Sequence, residues 1–132
     1  MEKLMDMTKT LRVLIVEDST LFRRLFKETL HHRFPSVEIY EAIDGEEALL
    51  QVETLRPNLI FMDIRLPGEN GLELTQKIKT RNPNIIVIIL TGYDLPEYRE
   101  VSQRYADYFF SKDSSTTENI FTLVESIFPN RI

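Results

Sequence analysis

The run Ile85-Ile86-Val87-Ile88-Ile89-Leu90 puts six apolar residues in a row, five of them β-branched, and leaves no polar face to turn toward water. Branching at Cβ favours a strand over a helix, and a strand with no wet side must be covered on both faces. Four other short stretches read the same way: Val13 to Val16, Val37 to Ala42, Leu59 to Met62 and Asp107 to Ser111. Between them the apolar period lengthens to that of a helix. Thr20 to His32 carries Leu21, Phe22, Leu25, Phe26 and Leu30, Gly45 to Leu55 carries Ala48, Leu49 and Val52, and Gly71 to Arg81 carries Leu72, Leu74 and Ile78. Leu95 to Tyr105 and Thr116 to Phe128 complete the alternation, the last with Ile120, Leu123, Val124 and Ile127 on one side. Breaks rich in Pro, Asn or Gly fall at Arg33 to Ser36, Arg56 to Asn58, Pro67 to Asn70 and Asn82 to Asn84. Five strands alternating with five helices imply an α/β fold, a parallel sheet with helices on both faces.

A chain of 132 residues suits one such domain and has no room for a second. Met1 to Thr10 lacks the apolar core of a signal peptide and reads as a short frayed leader, with the domain over 11–129 and a tail at 130–132. No apolar run approaches the ~18 residues of a membrane span. Zero cysteines leave no disulfide framework, thiolate zinc site or cysteine nucleophile, and fit a cytoplasmic protein. A net charge of −5 argues against direct nucleic-acid binding and for protein partners.

Acidic residues close two of the strands: Glu17 and Asp18 follow Val13-Leu14-Ile15-Val16, and Asp63 follows Leu59-Ile60-Phe61-Met62. In an open parallel sheet the carboxyl ends of neighbouring strands face a common crevice, where three carboxylates would repel one another unless a cation sits among them. A hard divalent ion with oxygen ligands, magnesium foremost, suits that set. A carboxylate beside such an ion stays ionised and can attack a phosphoryl group, giving an acyl phosphate, so Asp63 reads as the nucleophile. The chemistry also needs a hydroxyl and a fixed cation for the phosphoryl oxygens. Thr91, after Ile88-Ile89-Leu90, and Lys112, after Phe109-Phe110-Ser111, stand at strand ends suited to those roles.

From about Leu11 to Phe128 the chain resembles the response-regulator receiver domain of two-component signalling. The stretches that carry the resemblance are Val-Leu-Ile-Val-Glu-Asp-Ser ending at Ser19, Met-Asp-Ile-Arg-Leu-Pro-Gly from Met62 to Gly68 with Gly71, Leu-Thr-Gly-Tyr from Leu90 to Tyr93, and Phe-Phe-Ser-Lys ending at Lys112. It implies a flavodoxin-like, doubly wound five-stranded sheet of order 2-1-3-4-5. It implies that Asp63 accepts a phosphoryl group from a histidine kinase or phosphotransfer protein. Asp18, Asp63 and the backbone carbonyl of Arg65 would bind magnesium, with Glu17 assisting, and Thr91 and Lys112 would contact the phosphoryl oxygens. Phe109 falls at the position of the family's switch aromatic. Through it the face made by the fourth helix, fifth strand and fifth helix would shift to control a downstream protein, an output domain outside this chain, or a second phosphorylated copy. On this reading the protein is not an enzyme, since it catalyses only its own phosphorylation and dephosphorylation.

Each of these residues also has a plainer role. Glu17 and Asp18 would suit the start of a helix near Ser19, and Thr91 before Gly92 is a common turn pair. Lys112 alone would be a solvated lysine. It is their joint register that favours chemistry. Tyr98, Val101 and Tyr105 form a stripe suited to core packing, and His31 and His32 are surface residues at a helix end. The alternative function is a binding module of this fold that works without phosphorylation. A phosphatase-like or flavin-binding enzyme lacks support, because neither an Asp-x-Asp motif nor a Gly/Ser/Thr-rich phosphate loop follows the first strand. Three departures from the family pattern stand out: Glu17 where Asp is common, Asp113 where proline often follows the lysine, and Tyr105 where glycine is usual. The second predicts a trans peptide after Lys112, because a cis bond without proline costs about 2.5–4 kcal/mol.

Overall fold

A computed structural model of the chain describes residues 10–112 and 117–132. The strands are β1 (Arg12–Val16), β2 (Glu38–Ala42), β3 (Leu59–Met62), β4 (Ile86–Thr91) and β5 (Tyr108–Ser111). The helices are α1 (Thr20–Arg33), α2 (Gly45–Leu55), α3 (Gly71–Arg81), α4 (Pro96–Tyr105) and α5 (Thr117–Ile127). All five strands pair in parallel, in the order β2-β1-β3-β4-β5. The order reverses at β1, and that reversal opens a crevice at the carboxyl ends of β1 and β3.

Alternation along the central strands sends side chains to two cores. Val13 and Ile15 of β1, Leu59 and Phe61 of β3, and Ile88 and Leu90 of β4 meet Phe26 and Leu30 of α1 and Ile120, Phe121 and Val124 of α5. Leu14, Val16, Ile60, Met62, Val87 and Ile89 point the other way, onto Ala48 and Val52 of α2 and Leu72, Leu74 and Ile78 of α3. Tyr98 and Val101 of α4 pack against this second core, as their stripe implies, while Tyr105 is half-buried. His31 and His32 are exposed in the last turn of α1. No helix among the described residues is long and apolar enough to cross a membrane.

Two loop readings are refined. Pro67 to Asn70 is not simply a break: Glu69–Asn70 pairs antiparallel with Arg65–Leu66 as a small ribbon, turned by Gly68 at φ 75. Tyr105 needs no glycine in its place, because Ala106 ends α4 in an extended conformation and donates its N–H to Ser102 O at 2.8 Å. The peptide bond between Lys112 and Asp113 lies outside the described residues.

Candidate functional site

Parallel pairing brings Val16 level with Met62, so the residues that follow them, Glu17 and Asp63, emerge side by side at the carboxyl edge. The sheet ladder continues past both strands: Glu17 N–H donates to Ala42 O and Asp63 N–H to Val16 O, each at 3.0 Å. Carboxylate oxygens of Glu17, Asp18 and Asp63 all lie within 4.8 Å of one another. Glu17 and Asp63 are buried, at 2% and 5% exposure, and Asp18 faces solvent. One further bond orients each buried carboxylate: Glu17 Oε2 accepts from Ser19 N–H at 2.9 Å, and Asp63 Oδ1 accepts from Ile64 N–H at 2.8 Å. Glu17 therefore also holds the backbone of Ser19, which caps α1 by accepting from Phe22 N–H, so the capping reading holds for it in part.

Lys112 arrives from the end of β5, 95 residues beyond Glu17, and its ammonium donates to Glu17 Oε1 at 2.6 Å and Asp63 Oδ2 at 3.3 Å. It is no solvated lysine. Burial lowers its pKa, but the Glu17 hydrogen bond and the charges of Asp63 and Glu17 outweigh that and leave it raised. Burial also pushes Glu17 up from the ordinary 4.5 to about 6, against the opposing hydrogen bonds from Lys112 and Ser19. One ammonium thus serves two buried carboxylates while a third stands beside them. At an effective dielectric of about 20, carboxylates at the outer limit of this spacing repel by roughly 3 kcal/mol per pair. Oxygens around an octahedral magnesium lie about 3–4.2 Å apart, so the trio needs little contraction to share one. Hard oxygen donors at this spacing fit such an ion.

The other sequence-predicted residues lie on the neighbouring strands and the ribbon. Thr91 ends β4, fully buried and level with Ser111, and its Oγ1 accepts from Tyr93 N–H at 3.2 Å. Arg65 is exposed at the start of the ribbon, with its guanidinium 4.0 Å above the Tyr93 ring. Phe109 lies level with Ile89, half-buried on the second core, with the Arg99 guanidinium 4.6 Å above its ring. Arg99 is itself gripped by Asp94 through Nε at 2.5 Å and Nη2 at 2.9 Å.

Two residues gain roles that sequence reasoning did not give them. The Phe22 ring lies 4.1 Å from the Lys112 ammonium and stacks on Phe26, which meets Phe61 of β3 edge-on at 4.8 Å. Helical spacing assigned Phe22 to a core face and carried no hint that a lysine from the far end of the chain lies over it. Gly71 donates its N–H to Ile64 O at 2.7 Å, and a Cβ there would fall on the Asp63 carbonyl oxygen. Its place shortly after a strand-end aspartate was the available signal.

A family model described as the response regulator receiver domain matches residues 13–125. A protein-glutamate methylesterase/protein-glutamine glutaminase of Paramagnetospirillum magneticum is 43% identical over 91 residues, 67% of this chain and 25% of that protein. A cyclic di-GMP phosphodiesterase of Thermotoga maritima is 34% identical over 101 residues, 76% of this chain and 26% of that protein. The chain thus spans about a quarter of the length of these curated relatives. A solved CheY-like response regulator receiver domain protein of Methanospirillum hungatei superposes with a TM-score of 0.83 at 28% identity, over 92% of this chain and 95% of that one. The expectation of a protein that is not an enzyme is overturned here, because the curated relatives carry the names of enzymes. That expectation failed because residues inside this chain say nothing about the three-quarters of such a relative that the match does not reach.

Proposed function

The chain belongs to the response-regulator receiver family, whose domains switch by phosphorylation, and from that premise we propose that Asp63 is its phosphoacceptor and that residues 11–129 form the receiver unit. The observation that carries this is the shared ammonium: Lys112 reaches both Glu17 and Asp63 in a pocket that also gathers Asp18. Magnesium, held by Glu17, Asp18, Asp63 and the backbone carbonyl of Arg65, would supply positive charge against the phosphoryl oxygens.

A carboxylate oxygen of Asp63 attacks the phosphorus of a phosphohistidine on a kinase or phosphotransfer protein. The P–N bond breaks, its electron pair leaves with the imidazole, and an acyl phosphate forms. Lys112 turns from its shared carboxylates to a phosphoryl oxygen, and the Thr91 hydroxyl donates to another. Phe109 follows Thr91, which shifts the α4-β5-α5 face between two arrangements and so its affinity for a protein partner, an output domain or a second copy. Two relatives with differently named activities share a stretch like this one over about a quarter of their length, which supports a regulatory role for it. This reading sets the reaction in the cytoplasm.

Incubation with acetyl phosphate and magnesium tests the assignment by intact mass. The native chain should gain one phosphoryl group and Asp63→Asn none. Equal labelling of Asp63→Asn would remove Asp63 from its role, and no labelling of either would favour the phosphorylation-independent binding module.

A further inference from the structure

The ribbon that follows β3 is too short to hold itself in place. It pairs Arg65 with Asn70 and Leu66 with Glu69, and even a longer two-stranded hairpin is marginal in water. Its position relative to Asp63 must therefore come from contacts outside it. Gly71 N–H donating to Ile64 O at 2.7 Å, Asn70 capping α3 by accepting from Leu72 N–H at 2.7 Å, and Leu66 packing on the second core are local anchors. Glu69 supplies a more distant one. Its side chain lies against Gly45, the first residue of α2, so closely that a Cβ on Gly45 would fall on the Glu69 carboxylate and stand 3.2 Å from the Glu69 Cβ. Its Oε1 accepts from the Lys77 ammonium of α3 at 2.6 Å, and the side chain is 19% exposed. A negative group suits the start of a helix, so this carboxylate sits between the positive end of α2 and an ammonium.

Both ends of this contact adjoin the backbone of the acidic pocket. Ala42, shortly before Gly45, accepts from Glu17 N–H at 3.0 Å, and Arg65, shortly after Asp63, pairs with the residue next to Glu69. Because β2 and β3 flank β1 in the sheet, Glu69 ties together the chain segments that leave the strands on either side of the one ending at Glu17 and Asp18. We propose that Glu69 is a positioning residue for the metal: wedged between Gly45 and Lys77, it holds the ribbon, and with it the Arg65 carbonyl, in place for the ion. This rests on the magnesium site proposed above. Asp63, Thr91 and Lys112 are placed by strand pairing and by the bonds to Val16, Glu17 and Asp63 rather than by the ribbon. Glu69 therefore acts on metal affinity and not on the transfer step.

The test is a calorimetric titration with magnesium of the native chain, Glu69→Ala, Gly45→Ala and the double variant, beside acetyl-phosphate labelling over a range of magnesium concentrations and amide hydrogen exchange in EDTA. Glu69→Ala should weaken magnesium roughly tenfold, the loss usual when a group that orients metal ligands is removed. It should also speed exchange of the Gly71 amide, and labelling should slow at limiting magnesium but regain the native rate at saturation. Alanine suits the helical backbone at Gly45, so Gly45→Ala should weaken magnesium only by displacing Glu69, and adding it to Glu69→Ala should cost nothing more, because the methyl enters the space left. Native-like affinity in Glu69→Ala, equal losses from Gly45→Ala with and without Glu69, or labelling that stays slow at saturating magnesium would each overturn the proposal. A native chain that neither binds magnesium nor is labelled would sink the reading of the pocket itself, whereas native binding with unaffected variants sinks the role of Glu69 alone.

Discussion

Glu17→Gln should stabilise the metal-free protein at neutral pH, by an amount that fades on acidification. The native side chain is 3% exposed, and its pKa stands at about 6 against an ordinary 4.5. At about 1.4 kcal/mol per pH unit, that displacement corresponds to roughly 2 kcal/mol. A group whose folded pKa is raised contributes its full stability below the unfolded pKa and loses it as pH rises through the folded value. Ionised Glu17 therefore costs the folded state about 2 kcal/mol above pH ~6, and the cost has gone by pH ~4.5. Like the protonated acid, glutamine keeps one accepting oxygen, for Ser19 N–H or for Lys112 but not for both, and it never ionises. The assay is urea denaturation of both proteins in EDTA between pH 4.5 and 7.5. The difference between them cancels other titrating groups, such as Glu41, whose lowered pKa acts in the opposite direction. The variant should lead by about 2 kcal/mol at pH 7.5 and by nearly nothing at pH 4.5. A difference that stays constant with pH would refute the idea that burial strains this carboxylate. Saturating magnesium should reverse the order at pH 7.5, since a ligand at 100 times its Kd adds about 2.7 kcal/mol to whichever protein binds it.

Three further outcomes are expected. Gly71→Ala should cost roughly 1–3 kcal/mol in chemical denaturation, because the new methyl falls on the Asp63 carbonyl oxygen; it should also slow phosphorylation, and unchanged values for both would show that the ribbon yields freely. Tyr93→Ala removes the ring over which the Arg65 guanidinium lies and should shorten the lifetime of the phosphorylated form, measured as loss of label; an unchanged half-life would take Tyr93 out of the account. Phe22→Leu keeps the apolar contact but not the aromatic face beneath Lys112, so it should lower the labelling rate several-fold while leaving Tm within a few degrees, with Phe22→Tyr restoring it; equal rates in both variants would make Phe22 a packing residue only.

Which residue types occur, and at what local period, is written along the chain, and that was enough for much of this protein. Ile85 to Leu90 could only be a strand covered on both faces, and acids placed directly after Val16 and Met62 had to emerge at one edge once those strands ran parallel. The ribbon at Glu69–Asn70 escaped notice because two residues are too few to show a period. Distances between residues far apart in sequence were decided only in three dimensions. Closing the sheet in the order β2-β1-β3-β4-β5 delivers Lys112 to Glu17 across 95 residues, burial there raises the Glu17 pKa, and α1 lays Phe22 under the same ammonium. Local pattern specifies which way a side chain points from its own strand or helix, whereas the neighbours it meets depend on how the layers stack. For that reason the grouping of acids at one edge of the sheet was legible beforehand, while the aromatic ring over the lysine that joins two of them was not.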